Sequence, residues 1–189
     1  MKKIIEQFDD ICKEFGITYC FTLGTSLGMY RDGKPIPGDN DIDLMVFCNA
    51  HKLRQLQLRL CAEGYSFDVM NINWSNEMNM HFNKRGILLD VHFQCLDSED
   101  KFYETFDKVE YEGRTYNLPH PIEEYLEMEY NEITVNKSDW RKPCGGCSRP
   151  LVGQTGKKEL GINPEEYFNL AKTKYQWGQE KDIQWDKNH

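Results

Sequence analysis

Two aspartates two residues apart, Asp41 and Asp43, lead straight into the apolar run that ends at Phe47. If residues 41–47 form a strand, residues two apart share a face and the two carboxylates stand side by side. At ~4 Å two such charges repel by roughly 4 kcal/mol at an effective dielectric of about 20. A fold that keeps them together calls for a cation between them, and hard oxygen ligands suit Mg²⁺ or Mn²⁺. Ahead of the pair stand the turn Gly24-Thr-Ser-Leu-Gly28 and a basic loop rich in Pro and Gly that contains Lys34. A divalent metal beside a Gly/hydroxyl turn is equipment for handling phosphate.

A chain of 189 residues can build one ordinary domain, or one domain with a small appendage. Its net charge of -8 argues against a nucleic-acid track, because such binding runs on phosphate neutralisation by Lys and Arg. A small anion carried by a metal is compatible with that charge. The first fifteen residues are charged throughout and lack the apolar core of a signal peptide, and no uncharged apolar run approaches membrane-spanning length. Seven scattered cysteines, an odd number, fit reduced thiols better than a disulfide framework, so the expected compartment is cytoplasmic.

Hydrophobic spacing predicts a helix over 2–15, with Ile4, Ile5, Phe8, Ile11, Cys12 and Phe15 on one stripe and Gly16 as its stop. A strand is expected over Ile17–Leu23, a few helical residues over Ser26–Tyr30, a loop over Asp32–Gly38 and a strand over Asp41–Phe47. A second helix follows over 50–63, stopped by Gly64. The period then falls to two, which predicts strands over Tyr65–Asn71, Glu77–Asn83 and Ile87–Gln94, the last two joined through Lys84-Arg85-Gly86. A hairpin over Lys108–Leu118 turns at Glu112-Gly113, and a short helix over Pro121–Tyr130 starts on proline. Residues 136–163 read as irregular and 164–178 as helical, and the last ten as frayed. The expected fold is α+β, a core over 1–130 with a small helical or irregular extension over 131–189 packed on it.

The combination of a Gly-Thr turn after a first strand, Asp-x-Asp on a second and a lone Asp on a later one resembles the nucleotidyltransferase (polymerase-β-like) fold. The closer resemblance is to the LicD/fukutin phosphotransferases. It rests on Gly24-Thr25-Ser26-Leu27-Gly28, then Arg31, then Asp39-Asn40-Asp41-Ile42-Asp43, and on a closing segment with Leu118-Pro119, Glu124-Tyr125-Leu126, Tyr130 and Asp139-Trp140-Arg141-Lys142-Pro143. The likeness covers about residues 1–143. Two departures stand out: Gly38-Asp39-Asn40-Asp41 replaces the family's Trp-Asp-Asp-Asp, and Tyr130-Asn131 replaces its Tyr-Gly. The resemblance implies a mixed β-sheet flanked by helices, a bound Mg²⁺ or Mn²⁺, and transfer of a phosphorylated alcohol. The donor it implies is CDP-linked and the acceptor a sugar hydroxyl of a glycan. The alternative is transfer of NMP from an NTP to a small molecule such as an aminoglycoside or sugar phosphate, and a third reading is a degenerate binding module.

By this pattern Asp41 and Asp43 hold the metal, bridging phosphate oxygens of the donor. Asp90, a lone acid in the apolar run Ile87–Gln94, is the third carboxylate, a metal ligand or the base that orients the acceptor; Asp97 competes for that role from a polar stretch. Gly24, Thr25 and Ser26 suit a phosphate, against the plainer reading of a turn with a helix cap. Arg31 and Lys34 are candidate oxyanion contacts, against the reading that basic loop residues face water. Asp39 is an outer ligand or a loop cap. Cys144 and Cys147 have the spacing of half a zinc site, but no partner pair exists in the sequence, and reduced thiols are the competing reading. Gly153-Gln-Thr-Gly-Lys-Lys158 is no P-loop, since Leu151 stands where that motif needs glycine. Trp140 reads as a packing anchor. Because Asp41 and Asp43 repel each other, replacing either is expected to preserve or raise stability without metal.

Overall fold

A computed structural model describes residues 1–72, 77–94, 101–130, 153–155 and 183–185. The chain is mixed α+β, and its elements sort into two compact units that alternate along the sequence.

One unit holds Met1–Tyr19 and resumes at Met45. Helix α1, Lys2–Phe15, buries the predicted stripe of Ile4, Ile5, Phe8, Ile11 and Cys12. It stops at Gly16, whose φ of 59° lets its N–H reach back to the Cys12 and Lys13 carbonyls. Helix α3, Ala50–Ala62, packs on α1 and buries Leu53, Leu56 and Leu60; the Asn49 side chain caps its start, accepting from Lys52 N at 3.0 Å.

Strands β3 (Ser66–Ile72), β4 (Glu77–Lys84) and β5 (Ile87–Gln94) run antiparallel, with Arg85 and Gly86 both at positive φ in the β4–β5 turn. Two consecutive positive φ values match the right-handed twist of a two-residue hairpin. Met80, Phe82, Leu89, Val91 and Phe93 are buried on one face of this hairpin, while Asn79, His81, Asp90 and His92 alternate with them. The sheet runs in the order β1-β2-β5-β4-β3-β9, where β1 is Thr18–Phe21, β2 is Asp41–Phe47 and β9 is Ile183–Trp185. Because β9 lies parallel to β3, this is a mixed sheet.

The other unit holds Cys20–Leu44, and so the first half of β2 and helix α2, Leu23–Asp32. It also contains a 3₁₀ turn at Lys101–Tyr103, strands β6 (Phe106–Tyr111), β7 (Arg114–Pro119) and β8 (Gly153–Thr155), and helix α4 (Ile122–Glu129). Strand β6 lies between β7 and β8, and Glu112 and Gly113 form another positive-φ hairpin turn. Pro121 at the head of α4 offers no cap, and Asp107 supplies one from β6: it accepts from Ile122 N at 3.0 Å and meets His120 Nδ1 at 3.0 Å.

Several predicted boundaries move. The first strand ends at Phe21 rather than Leu23, and α2 spans ten residues from Leu23 rather than a few from Ser26, running on through Asp32. Residues 153–155, expected to be irregular, and 183–185, expected to be frayed, are strands that pair the open edges of β6 and β3. Such pairing is decided by a sheet edge far along the chain, which local pattern does not report. The rest of the predicted irregular stretch, the predicted 164–178 helix, Asp97, Trp140, Asn131, Cys144 and Cys147 lie outside the described residues, as does most of the 131–189 extension.

Gly28 shows why the Gly24–Gly28 turn tolerates no larger residue at its end. A Cβ there would lie 2.8 Å from the Lys34 carbonyl oxygen and 2.9 Å from Ile36 N, so the loop backbone crosses the helix where only hydrogen fits. Gly28→Ala is therefore expected to cost about 1–3 kcal/mol, the usual range for overpacking. Denaturant unfolding checks it; an unchanged midpoint would show that the loop can shift freely.

Candidate functional site

The site is built on the joint between β1 and α2. Leu23, the first helical residue, has a φ of 41°, a conformation a leucine adopts only under constraint. Its N–H donates to the Tyr125 hydroxyl at 3.0 Å. The Thr22 hydroxyl bonds the same Tyr125 oxygen and lies 3.2 Å from the Tyr103 hydroxyl. Burial pushes both phenols above their ordinary range, so they stay protonated donors. Helix α4 thus clamps the start of α2, and Tyr30 adds a 2.5 Å bond to Glu123.

From that joint the chain grips Asp43 twice. Thr25 N donates to Asp43 Oδ2 at 3.2 Å, and Asp43 N donates to Thr25 Oγ1 at 2.8 Å. Ser26 Oγ donates to the Leu23 carbonyl at 2.8 Å, closing the first turn, and Ser26 N donates to the Thr22 carbonyl. Thr25 and Ser26 are both buried: the Ser26 hydroxyl closes the turn, the Thr25 hydroxyl accepts from the Asp43 backbone, and the Thr25 N–H holds the carboxylate. Gly24 stands in this first turn, where a helix N–H has no intrahelical acceptor. Gly24 also faces the acids: a Cβ there would sit 3.3 Å from Asp43 Oδ2, 3.7 Å from Asp39 Oδ2 and 4.0 Å from the Tyr130 hydroxyl. With hydrogen there, the backbone runs close to those oxygens.

The acids are crowded enough to hold a proton. A hydrogen bond donated by the protonated Asp41 carboxyl to Asp39, burial, and the charges of Asp43 and Asp39 push the Asp41 carboxyl up to about 7. Burial and the charges of Asp43, Glu129 and Asp39 likewise push Tyr130 upward, against a smaller pull from Arg31. This carboxylate set fits a hard divalent cation, which would replace the proton and relieve the repulsion.

The two basic candidates part ways. Lys34 is exposed in the loop after α2. Arg31 lies in the helix, not in a loop, and is buried; its Nε and one terminal nitrogen grip Asp32 Oδ2 at 3.1 and 2.8 Å. The plainer reading, that it faces water, does not hold, because Asp32 is buried beside it and takes up its charge.

Asp90 belongs to the other unit, half-buried on the polar face of the β4–β5 hairpin. The register places His81 opposite Asp90 and Asn79 opposite His92. Asp90 Oδ1 lies 3.1 Å from Asn79 Nδ2 and 3.2 Å from His81 Nε2, and its Oδ2 lies 3.2 Å from His92 Nε2. Burial alone raises the Asp90 carboxyl, and contacts with His92, His81 and Asn79 outweigh it and hold the group below its ordinary value. Asp90 is neither bare nor at an exposed strand end. His81, Thr22 and Tyr103 carried no signal in the sequence, except that His81 alternates with the buried faces of its strand; Tyr125 stood there only as part of the closing segment of the resemblance.

These features define a mixed α+β protein with a carboxylate cluster beside a Gly-Thr helix start. Residues 16–117 match the family model described as LicD/FKTN/FKRP, nucleotidyltransferase domain. That span is more than half of the chain, and the chain belongs to this family. No curated protein matches it. Members of the family are transferases, which supports an enzyme with a phosphotransferase-type role in glycan or cell-surface modification. Among the described residues no helix is long and apolar enough to cross a membrane.

The structure separates the two acids that the sequence treats alike. Asp41 binds a proton more tightly folded than unfolded. Its contribution to stability is therefore full below pH ~4 and is lost as pH rises through about 7. Asp41→Asn should raise the melting temperature of metal-free protein at pH 8 and leave it unchanged near pH 4. Asp43→Ala should instead cost about 1–3 kcal/mol, because it strands the buried Thr25 N–H. Melting curves at the two pH values check both; equal shifts for the two variants would break the distinction. Tyr125→Phe should cost a similar 1–3 kcal/mol by removing the oxygen that Leu23 N and Thr22 share, and unfolding curves unchanged from wild type would dismiss the clamp.

Proposed function

We propose that the protein moves a phosphorylated alcohol, phosphocholine-like or a polyol phosphate, from a CDP-linked donor to a sugar hydroxyl of a glycan. Asp41 and Asp43 would hold Mg²⁺ or Mn²⁺, with Asp90 as a third carboxylate. The observation that carries this reading is the crowding of Asp41 by Asp39 and Asp43, two acids that stand beside Gly24. A bound cation would neutralise charge on the donor phosphates.

The chain's own residues do the rest. Thr25 fixes the rotamer of Asp43, so that one carboxylate is aimed before any ligand arrives. The Gly24 N–H stands at a helix start, where an anionic oxygen is favoured. The Tyr130 hydroxyl, whose proton burial and acidic neighbours hold more tightly, is a further donor beside Gly24. Exposed Lys34 is free to meet the outer charge of a donor or acceptor.

A second reading, NMP transfer from an NTP to a small acceptor, draws on the nucleotidyltransferase wording of the family description. Both attack a phosphorus, and they differ in the leaving group. With Mg²⁺ or Mn²⁺, a panel of CDP-choline, CDP-ribitol, CDP-glycerol and NTPs, and mixed sugar acceptors, the expected product is CMP from one CDP-alcohol. Asp41→Asn should lower that turnover at least about a hundredfold, since metal charge stabilisation is several kcal/mol and each ~1.4 kcal/mol is tenfold. Pyrophosphate from an NTP would select the second reading, and turnover unaffected by Asp41→Asn would remove the metal site from the mechanism.

A further inference from the structure

The polar face of the β4–β5 hairpin carries more than one carboxylate. On an antiparallel pair, directly opposed residues share a face, as do residues two apart on a strand. The pairs His81–Asp90 and Asn79–His92 therefore form a square of four polar side chains, while the neighbours Met80, Leu89, Val91 and Phe93 are buried. Such a square is a costly way to finish a strand whose alternate residues are all apolar, unless the side chains hold each other or a ligand.

Within the square the two oxygens of Asp90 have different surroundings. Oδ1 is shared by two groups, Asn79 Nδ2 at 3.1 Å and His81 Nε2 at 3.2 Å. Oδ2 lies 3.2 Å from His92 Nε2. Two ligands bound to one cation at about 2.1 Å each, at right angles or somewhat wider, stand about 3.0–3.4 Å apart. The Oδ2–Nε2 separation already equals that edge. His81 Nε2 stands at the same 3.2 Å from Oδ1, but Asn79 Nδ2 meets both that oxygen and that nitrogen, at 3.1 and 3.2 Å, so these contacts form an outer shell that fixes the orientation of a ligating carboxylate.

We propose that His92 joins Asp90 as an imidazole ligand, with His81 and Asn79 as positioning residues on Asp90, so that the site selects a borderline transition cation over Mg²⁺. Carboxylates alone suit Mg²⁺ and Mn²⁺, whereas an imidazole beside a carboxylate shifts preference towards Zn²⁺, Co²⁺ and their neighbours. This rests on the reading above that Asp90 is a metal ligand, and it names the cation class that site takes. His81 reaches only the oxygen turned from His92, so its part is to hold rather than to ligate.

The test is equilibrium binding to the full chain, independent of turnover. Co²⁺ is titrated by its visible absorption and Mg²⁺ by competition against it, for wild type, His92→Phe and Asp41→Asn. Wild type should bind Co²⁺ at least about tenfold more tightly than Mg²⁺, and His92→Phe should lose at least about tenfold in Co²⁺ affinity with little change for Mg²⁺. His81→Phe should weaken both cations alike. Should His92→Phe fail to fold, imidazole ¹⁵N resonances of wild type provide the same answer: Zn²⁺ should move the His92 Nε2 signal. An unchanged Co²⁺ affinity and spectrum in His92→Phe, or a stationary His92 Nε2 signal, would overturn the proposal. If Asp41→Asn then still weakens both cations, the metal reading stands and only the imidazole ligand falls; if wild type binds no divalent cation, both fall.

Discussion

The reciprocal hydrogen bonds between Thr25 and Asp43 are the constraint on which the site depends. Each residue supplies one backbone N–H and one side-chain acceptor, so the helix start and the strand are locked in register by two bonds at once. Both residues are buried, and removing either partner strands a polar group away from water. The lock places Gly24 beside the acids and fixes the direction of the Asp43 carboxylate. It also explains the residue types in Gly24-Thr25-Ser26: glycine for the close approach to the acids, threonine for the grip on Asp43, serine to close the first turn.

Around that lock the fold tolerates strain in two forms. The backbone of Leu23 sits at positive φ, at a cost on the order of 1–3 kcal/mol, and is held by a hydrogen bond to Tyr125. Asp39, Asp41 and Asp43 are kept close enough that one retains its proton to about pH 7. Stability alone would select against such a cluster, and positions of this kind are where function and stability oppose each other. The clamp from α4 and the grip from Thr25 hold the strained parts in place before any ligand binds.

Much of this was legible in the residues. The stripe of Ile4, Phe8 and Ile11 gave α1 to the residue, and the run from Asp41 to Phe47 gave β2, because both patterns are local and strongly periodic. Arg85-Gly86 and Glu112-Gly113 marked two hairpin turns for the same reason. The start of α2 was not legible: Leu23 adopts its conformation through Tyr125, 102 residues further on. Nor was the burial of Arg31, which depends on α2 running on through Asp32. Asp90 stood out as a lone acid in an apolar run, but its partners His81 and Asn79 meet it only through strand register. Pairing that spans the chain escapes a reading of windows.

The central claim is that the acid cluster exchanges a proton for a divalent cation, and proton release on metal binding measures it directly. Calorimetric titration of Mg²⁺ or Mn²⁺ into the protein, in buffers of different ionisation enthalpy, counts the protons displaced. With Asp41 at about 7, binding should release about 0.9 proton at pH 6 and about 0.1 at pH 8. Asp41→Asn should abolish that difference. Binding without proton release at pH 6, or release that persists unchanged in Asp41→Asn, would contradict the account.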